Sequence, residues 1–197
     1  MFEVLISSNP VFDAVRRGYN ELEIASNDEI LDYFADVNPD AMLGHISNIK
    51  GIVFEQEVVT ALNEQGMDAM LFEATNHPVS DIALMSDGDI AAEVQLKASD
   101  SVAYINETLA ENPDIPIIVT SEVADGLEST MVIDSGIDNV ALNDAVSEVL
   151  TGEIANHVGE SVVSDVASEG LAELVADVAL PISPIGIIGA LFGLPFL

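Results

Sequence analysis

Three observations predict an α/β fold with a mixed sheet flanked by helices. Residues 69–97 hold three strand-like runs in close succession. An amphipathic helical stretch, 49–65, precedes them and stops at Gly66. A second helix and a short apolar strand, Ile115–Thr120, follow.

The elements read in order as follows. Residues 1–47 predict an extended start and then small helices. Asn9-Pro10 opens a helix over Val11–Arg17, since proline suits a first helical turn. Ser26 and Glu29 have capping-box spacing, which starts a helix through about Ala35. Asn38-Pro39 starts another. In the 49–65 helix, Ile52, Val58, Val59 and Leu62 form the apolar stripe. That phase turns Glu55 inward and leaves Glu57 on the wetter side. An acid aimed at a core is costly unless it is paired or bound to a metal.

Ala69–Glu73, Asp81–Met85 and Asp89–Lys97 are the strands. Ser86-Asp87-Gly88 fits a three-residue hairpin loop. Such a loop pairs Met85 with Asp89 and therefore Asp81 with Glu93. Ser99 or Asp100 caps the next helix, which runs to about Ala110 before Asn112-Pro113. From Ser135 the pattern is helical, beginning with Asn139–Leu150. The stretch 178–197 has no charge, but three prolines interrupt it and no Lys or Arg flanks it. Packing on the domain or in an oligomer interface is the expectation there, and membrane contact is the alternative. The resulting organisation is an N-terminal helical segment 1–47, an α/β core 48–134 and a helical segment 135–197.

The chain has 197 residues, of which 49% are apolar, enough for a sizeable core. Its formal net charge is −31, from 35 acidic and only four basic residues. That balance argues against a general grip on nucleic acid or anionic membrane through Lys and Arg. A salt-rich cytoplasm, mimicry of a polyanion, and a need for divalent cations or a basic partner are the three explanations. No cysteine is present, so disulfides, thiol catalysis and thiolate metal sites are excluded. The first residues lack a basic and then apolar signal pattern, so a cytoplasmic location is expected.

Chemistry concentrates in Glu93-Val94-Gln95-Leu96-Lys97. Side chains alternate along a strand, so Glu93, Gln95 and Lys97 share one face and Val94 and Leu96 the other. A lysine is scarce enough in this chain to need a reason. Asp81 opposite Glu93 brings two like charges together, which marks a cation site. Other chemistries find little support. His45, His77 and His157 lack zinc spacing, Ser80 has no visible base partner, and no Gly-rich phosphate loop occurs.

Over residues 48–121, the order of elements and residues resembles the PD-(D/E)XK nuclease superfamily, the restriction-endonuclease-like fold. Gly51-Ile-Val-Phe-Glu55, Gly66, Asp81 and Glu93-Val-Gln95-Leu-Lys97 carry the resemblance. It implies that Asp81, Glu93 and Glu55 bind Mg²⁺ or Mn²⁺, and that Lys97 orients the attacking water and stabilises charge. Two positions depart from the pattern. Gln95 stands where the acid two residues before the lysine belongs, as in the Mrr-like branch, and the proline before the strand Asp is missing. Either Glu93 is the acid, with Lys97 one strand pair too far along, or Gln95-Leu96-Lys97 is the motif.

The resemblance implies a Mg²⁺-dependent nuclease or nuclease-like DNA-processing protein, with nucleic acid reached through metal or a basic partner, and a homo-oligomer. A non-catalytic acidic scaffold on the same fold, oligomerising through its apolar C-terminus, is the second expectation. An effector whose tail contacts membrane is the third.

Overall fold

The computed structural model describes residues 10–72 and 79–151. The expected N-terminal extended piece, His77, His157 and the apolar stretch 178–197 lie outside the described residues. The chain divides into two compact units. Among the described residues these are 10–50 with 143–151, and 51–72 with 79–142.

In the first unit, α1 (Pro10–Gly18) buries Val11, Phe12, Ala14 and Val15. A short 3-10 turn, Asn20–Leu22, follows. Arg16 ties the turn to the next helix. It pairs with Asp13 at 3.1 Å, donates from Nε to the Ala25 carbonyl at 2.9 Å, and donates to the Asn27 side chain. The capping box at α2 (Asn27–Ala35) forms as its spacing predicts. Ser26 Oγ accepts from Glu29 N–H at 3.3 Å, and Glu29 accepts from Ser26 N–H at 2.8 Å. Tyr19 meets the rings of Tyr33, Phe34 and His45 and shares a 2.7 Å hydrogen bond with His45 Nδ1. Burial is the main cause that pushes the Tyr19 phenol above its ordinary pKa.

The third helix, α3, is one continuous element of 26 residues, Pro39–Glu64, where the sequence predicts two. Asn38 Oδ1 accepts from Asp40 N–H at 2.9 Å at its start. Gly66, at φ +83°, takes the left-handed conformation that ends the run. Residues of α3 up to Lys50 belong to the first unit and those from Gly51 to the second.

The second unit is built on a five-stranded mixed sheet in the order β1-β2-β3-β4-β5. The strands are β1 (Asp68–Leu71), β2 (Ile82–Ser86), β3 (Asp89–Lys97), β4 (Ile117–Val119) and β5 (Val132–Asp134). The first three pair antiparallel, and β3, β4 and β5 pair parallel. Helix α4 (Val102–Glu111) joins β3 to β4. The single turn α5 (Ser121–Ala124) leads toward β5, a strand the sequence reading does not anticipate. Helix α6 spans Asn139–Thr151, close to the expected range, and its residues from Asn143 belong to the first unit. Ile105, Ile117, Val119 and Val123 form a buried cluster that joins α4, β4 and α5, with Leu109, Leu127 and Val132 against it. The α4 cap is Ser101 rather than Ser99 or Asp100. Its Oγ accepts from Tyr104 N–H at 3.3 Å, while Ser99 Oγ accepts from Ser101 N–H.

The hairpin differs from expectation in a way that repositions the site. Ser86 pairs with Asp89, so the turn is the two-residue Asp87-Gly88. Both residues have positive φ, +53° and +86°, as a type I′ turn requires. A bulge then shifts the register between Leu84 and Met85, setting Leu84 against Ala92 and Ala83 against Glu93. Asp81 therefore does not face Glu93. It stands one step beyond the last pair, Ile82 with Val94, beside Gln95.

Candidate functional site

β3 changes partner partway along its length, and the candidate site lies at this change. Its first six residues run with β2, while Gln95, Leu96 and Lys97 pair with Ile117, Ile118 and Val119 of β4. Because β2 begins only at Ile82, a backbone partner for Leu96 N–H is missing on the β2 side. The Asp81 side chain fills that place: its Oδ2 accepts from Leu96 N–H at 2.7 Å. The same oxygen accepts from Lys97 Nζ at 3.4 Å. The pair is partly shielded, with side-chain exposure of 19% for Asp81 and 22% for Lys97.

Gln95 lies between them in sequence position and is buried, at 5% exposure. Its Oε1 has no hydrogen-bond partner among the described residues. A buried acceptor left without a donor costs on the order of 1–3 kcal/mol, so such an atom calls for an explanation. Val94 and Leu96 point into the core on the other face, as the alternation predicts.

Glu93 is exposed and accepts from the hydroxyl of Ser80, which is fully buried. The sequence reading assigns Ser80 no part. No strand periodicity places it beside Glu93; Val79, at φ +76°, breaks the extended run just before it. Glu93 lies four residues from Lys97, roughly 13 Å along an extended strand. It also lines an open groove of about 610 Å³ with Ala91, Ala92, Asp114, Pro116 and Met131.

On α3 the inward acid is Glu57 rather than Glu55. The buried arc comprises Ile52, Val53, Phe54, Glu57, Val58, Ala61 and Leu62, and Glu55 is half-buried. Burial raises the Glu57 pKa above the usual carboxylate value, and the nearby Glu64 charge adds to it. The broad arc explains the misplacement, since a helix buried over more than one narrow stripe admits positions that a single stripe excludes.

Among the described residues, no three His, Asp or Glu side chains converge in a way that could hold a metal. The expected carboxylate trio of Asp81, Glu93 and Glu55 is thus not assembled. What does come together is Asp81 and Lys97, with Gln95 the strand position that the register sets opposite Asp81. These supply one carboxylate, one buried amide oxygen without a donor, and one ammonium. Mg²⁺ commonly takes only one or two protein carboxylates and keeps several waters, so this smaller oxygen set remains compatible with it. No protein family, curated protein or solved structure matches the chain.

Proposed function

We propose that the chain is a Mg²⁺-dependent nuclease, or a nuclease-like nucleic-acid-processing protein, with a restriction-endonuclease-like core and DNA as substrate. One observation carries the reading: Asp81 before β2 and Lys97 at the end of β3 meet at 3.4 Å beside the buried Gln95. The sequence helix, three strands, helix and strand, with the third strand antiparallel to the second and parallel to the fourth, supports it. The Gln95-Leu96-Lys97 alignment is preferred, because Glu93 is committed to Ser80 and stands far along the strand.

Bound between Asp81 and Gln95, Mg²⁺ would supply a Lewis acid and a more acidic water. The chain's own groups have defined tasks. Leu96 N–H fixes the Asp81 carboxylate in the plane of the sheet. Gln95 offers a neutral oxygen, which keeps the local negative charge low for an anionic substrate. Lys97 holds a positive charge where negative charge grows on the scissile phosphate, and Asp81 keeps it there in the resting state.

Calorimetric titration with Mg²⁺ and Mn²⁺ tests this reading. The wild type is expected to bind one ion, and Asp81→Asn and Gln95→Leu to weaken it about tenfold or more. Equal binding by all three proteins, or none by any, contradicts the proposal. The second reading is an acidic scaffold. It is favoured by the fact that Asp81 is already satisfied by Leu96 N–H and Lys97, a lock that needs no metal. It predicts a silent titration at these residues.

A further inference from the structure

We infer that the groove beside β3 receives an extended basic peptide, which adds to the sheet as a strand. The inference concerns the half of β3 that lies away from the Asp81–Lys97 site, and it goes beyond the nuclease reading. β3 is nine residues long, yet β4 pairs with only its last three. Among the described residues, Asp89–Val94 has no strand partner on that side.

The direction of the open hydrogen-bonding groups follows from the ladder. Val94 C=O accepts from Asp81 N–H, toward β2. Gln95 N–H donates to Pro116 C=O at 2.9 Å, toward β4. Alternation turns the Glu93 N–H and C=O the same way as Gln95, into the groove of about 610 Å³. Its walls are Asp114–Pro116, which precede β4, and Thr130–Met131, which precede β5. Ala91 and Ala92 present only methyl groups along this edge, so a second backbone meets no bulky side chain there. An open edge of this kind is a template for strand addition.

Charge selects the occupant. Glu93 and Asp114 line the groove, both exposed, in a chain of net charge −31. A strand rich in Lys and Arg complements them. A second copy of this chain does not, because it has only four basic residues in all. A partner of this chemistry would also supply the cations that an acidic nucleic-acid-processing protein lacks.

The test uses the full chain and fluorescence anisotropy near physiological ionic strength. Three labelled peptides of about eight residues are compared. One alternates Lys and Val, the second is its copy with alternate backbone amides N-methylated, and the third replaces Lys by Glu. The expected order is binding by the first, about tenfold weaker binding by the second, and none by the third. Asp114→Lys, at an exposed loop position, is expected to weaken the first peptide severalfold. Amide hydrogen exchange at Glu93 is expected to slow when that peptide is bound. Equal binding of the methylated peptide, unchanged exchange at Glu93, or concentration-dependent dimerisation blocking the edge overturns the proposal. None of these outcomes depends on nuclease activity or on metal binding.

Discussion

At the scale of single residues, one carboxylate oxygen holds the centre of the candidate site. Asp81 Oδ2 accepts from both Leu96 N–H and Lys97, so it ends the β2–β3 ladder and also restrains the scarce cation. Removing the side chain strands a backbone donor that is otherwise satisfied. Asp81→Ala is therefore expected to cost about 1–3 kcal/mol in urea unfolding, while Asp81→Asn, which can still accept from Leu96 N–H, costs less. Equal losses in the two variants would show that the backbone bond is not the main term. Glu57 gives a second residue-scale expectation. Its raised pKa means that the folded state holds this proton more tightly than the unfolded chain does. The stability conferred by the protonated form is complete below the ordinary glutamate range and is lost as pH rises through the raised folded value. Glu57→Gln should match the wild type in acid and exceed it at neutral pH, read from denaturation midpoints across that window. A constant difference at every pH would contradict the assignment.

At the scale of elements, local chemistry decided what the sequence could reveal. The Ser26–Glu29 capping box, the stop at Gly66 and the full span of β3 were legible because each depends on neighbours in the chain. The hairpin register was not. Ile90-Ala91-Ala92-Glu93 offers two adjacent small residues and no clean inside–outside alternation, so nothing marks the bulge. The two-residue turn and the bulge each shift the register by one residue, and together they moved Asp81 from Glu93 to Gln95. The expected separation between the helix started by Asn38-Pro39 and the one over 49–65 is absent, because the two stretches run on as a single helix. A Cβ built at Gly44 or Gly51 meets nothing within 4 Å, so neither glycine is needed for space. Gly51→Ala is accordingly expected to stabilise the protein by about 0.5–1 kcal/mol in chemical denaturation. A loss of stability would mean that α3 is not continuous there. The short strand β5 escaped notice because three residues carry too little pattern for any periodicity to register.

At the scale of the whole molecule, the net charge of −31 sets the conditions for folding and for function. Self-repulsion on this scale opposes the compact state, and salt screens it. Raising KCl from about 0.01 M to about 1 M shortens the screening length from about 30 Å to about 3 Å, so the thermal midpoint should rise by several degrees. A flat response would mean that specific pairs, rather than the overall field, govern stability. Among the described residues, no helix is long and apolar enough to cross a membrane. The α/β class with a mixed sheet and flanking helices was legible from the succession of periodic segments, because burial of a two-sided sheet demands that order. How Asp81 reaches Lys97 was legible only in part, because it depends on the strand register.

The most direct test of the nuclease reading is cleavage of end-labelled duplex and single-stranded DNA and RNA with Mn²⁺ or Mg²⁺ at high salt. Wild type, Asp81→Ala and Lys97→Ala should be compared after circular dichroism has shown each to be folded. Metal-dependent cleavage by the wild type, reduced roughly 10²–10³-fold in both folded variants, is the predicted result. Equal rates in the three proteins, or no cleavage of any substrate by the wild type, would contradict it.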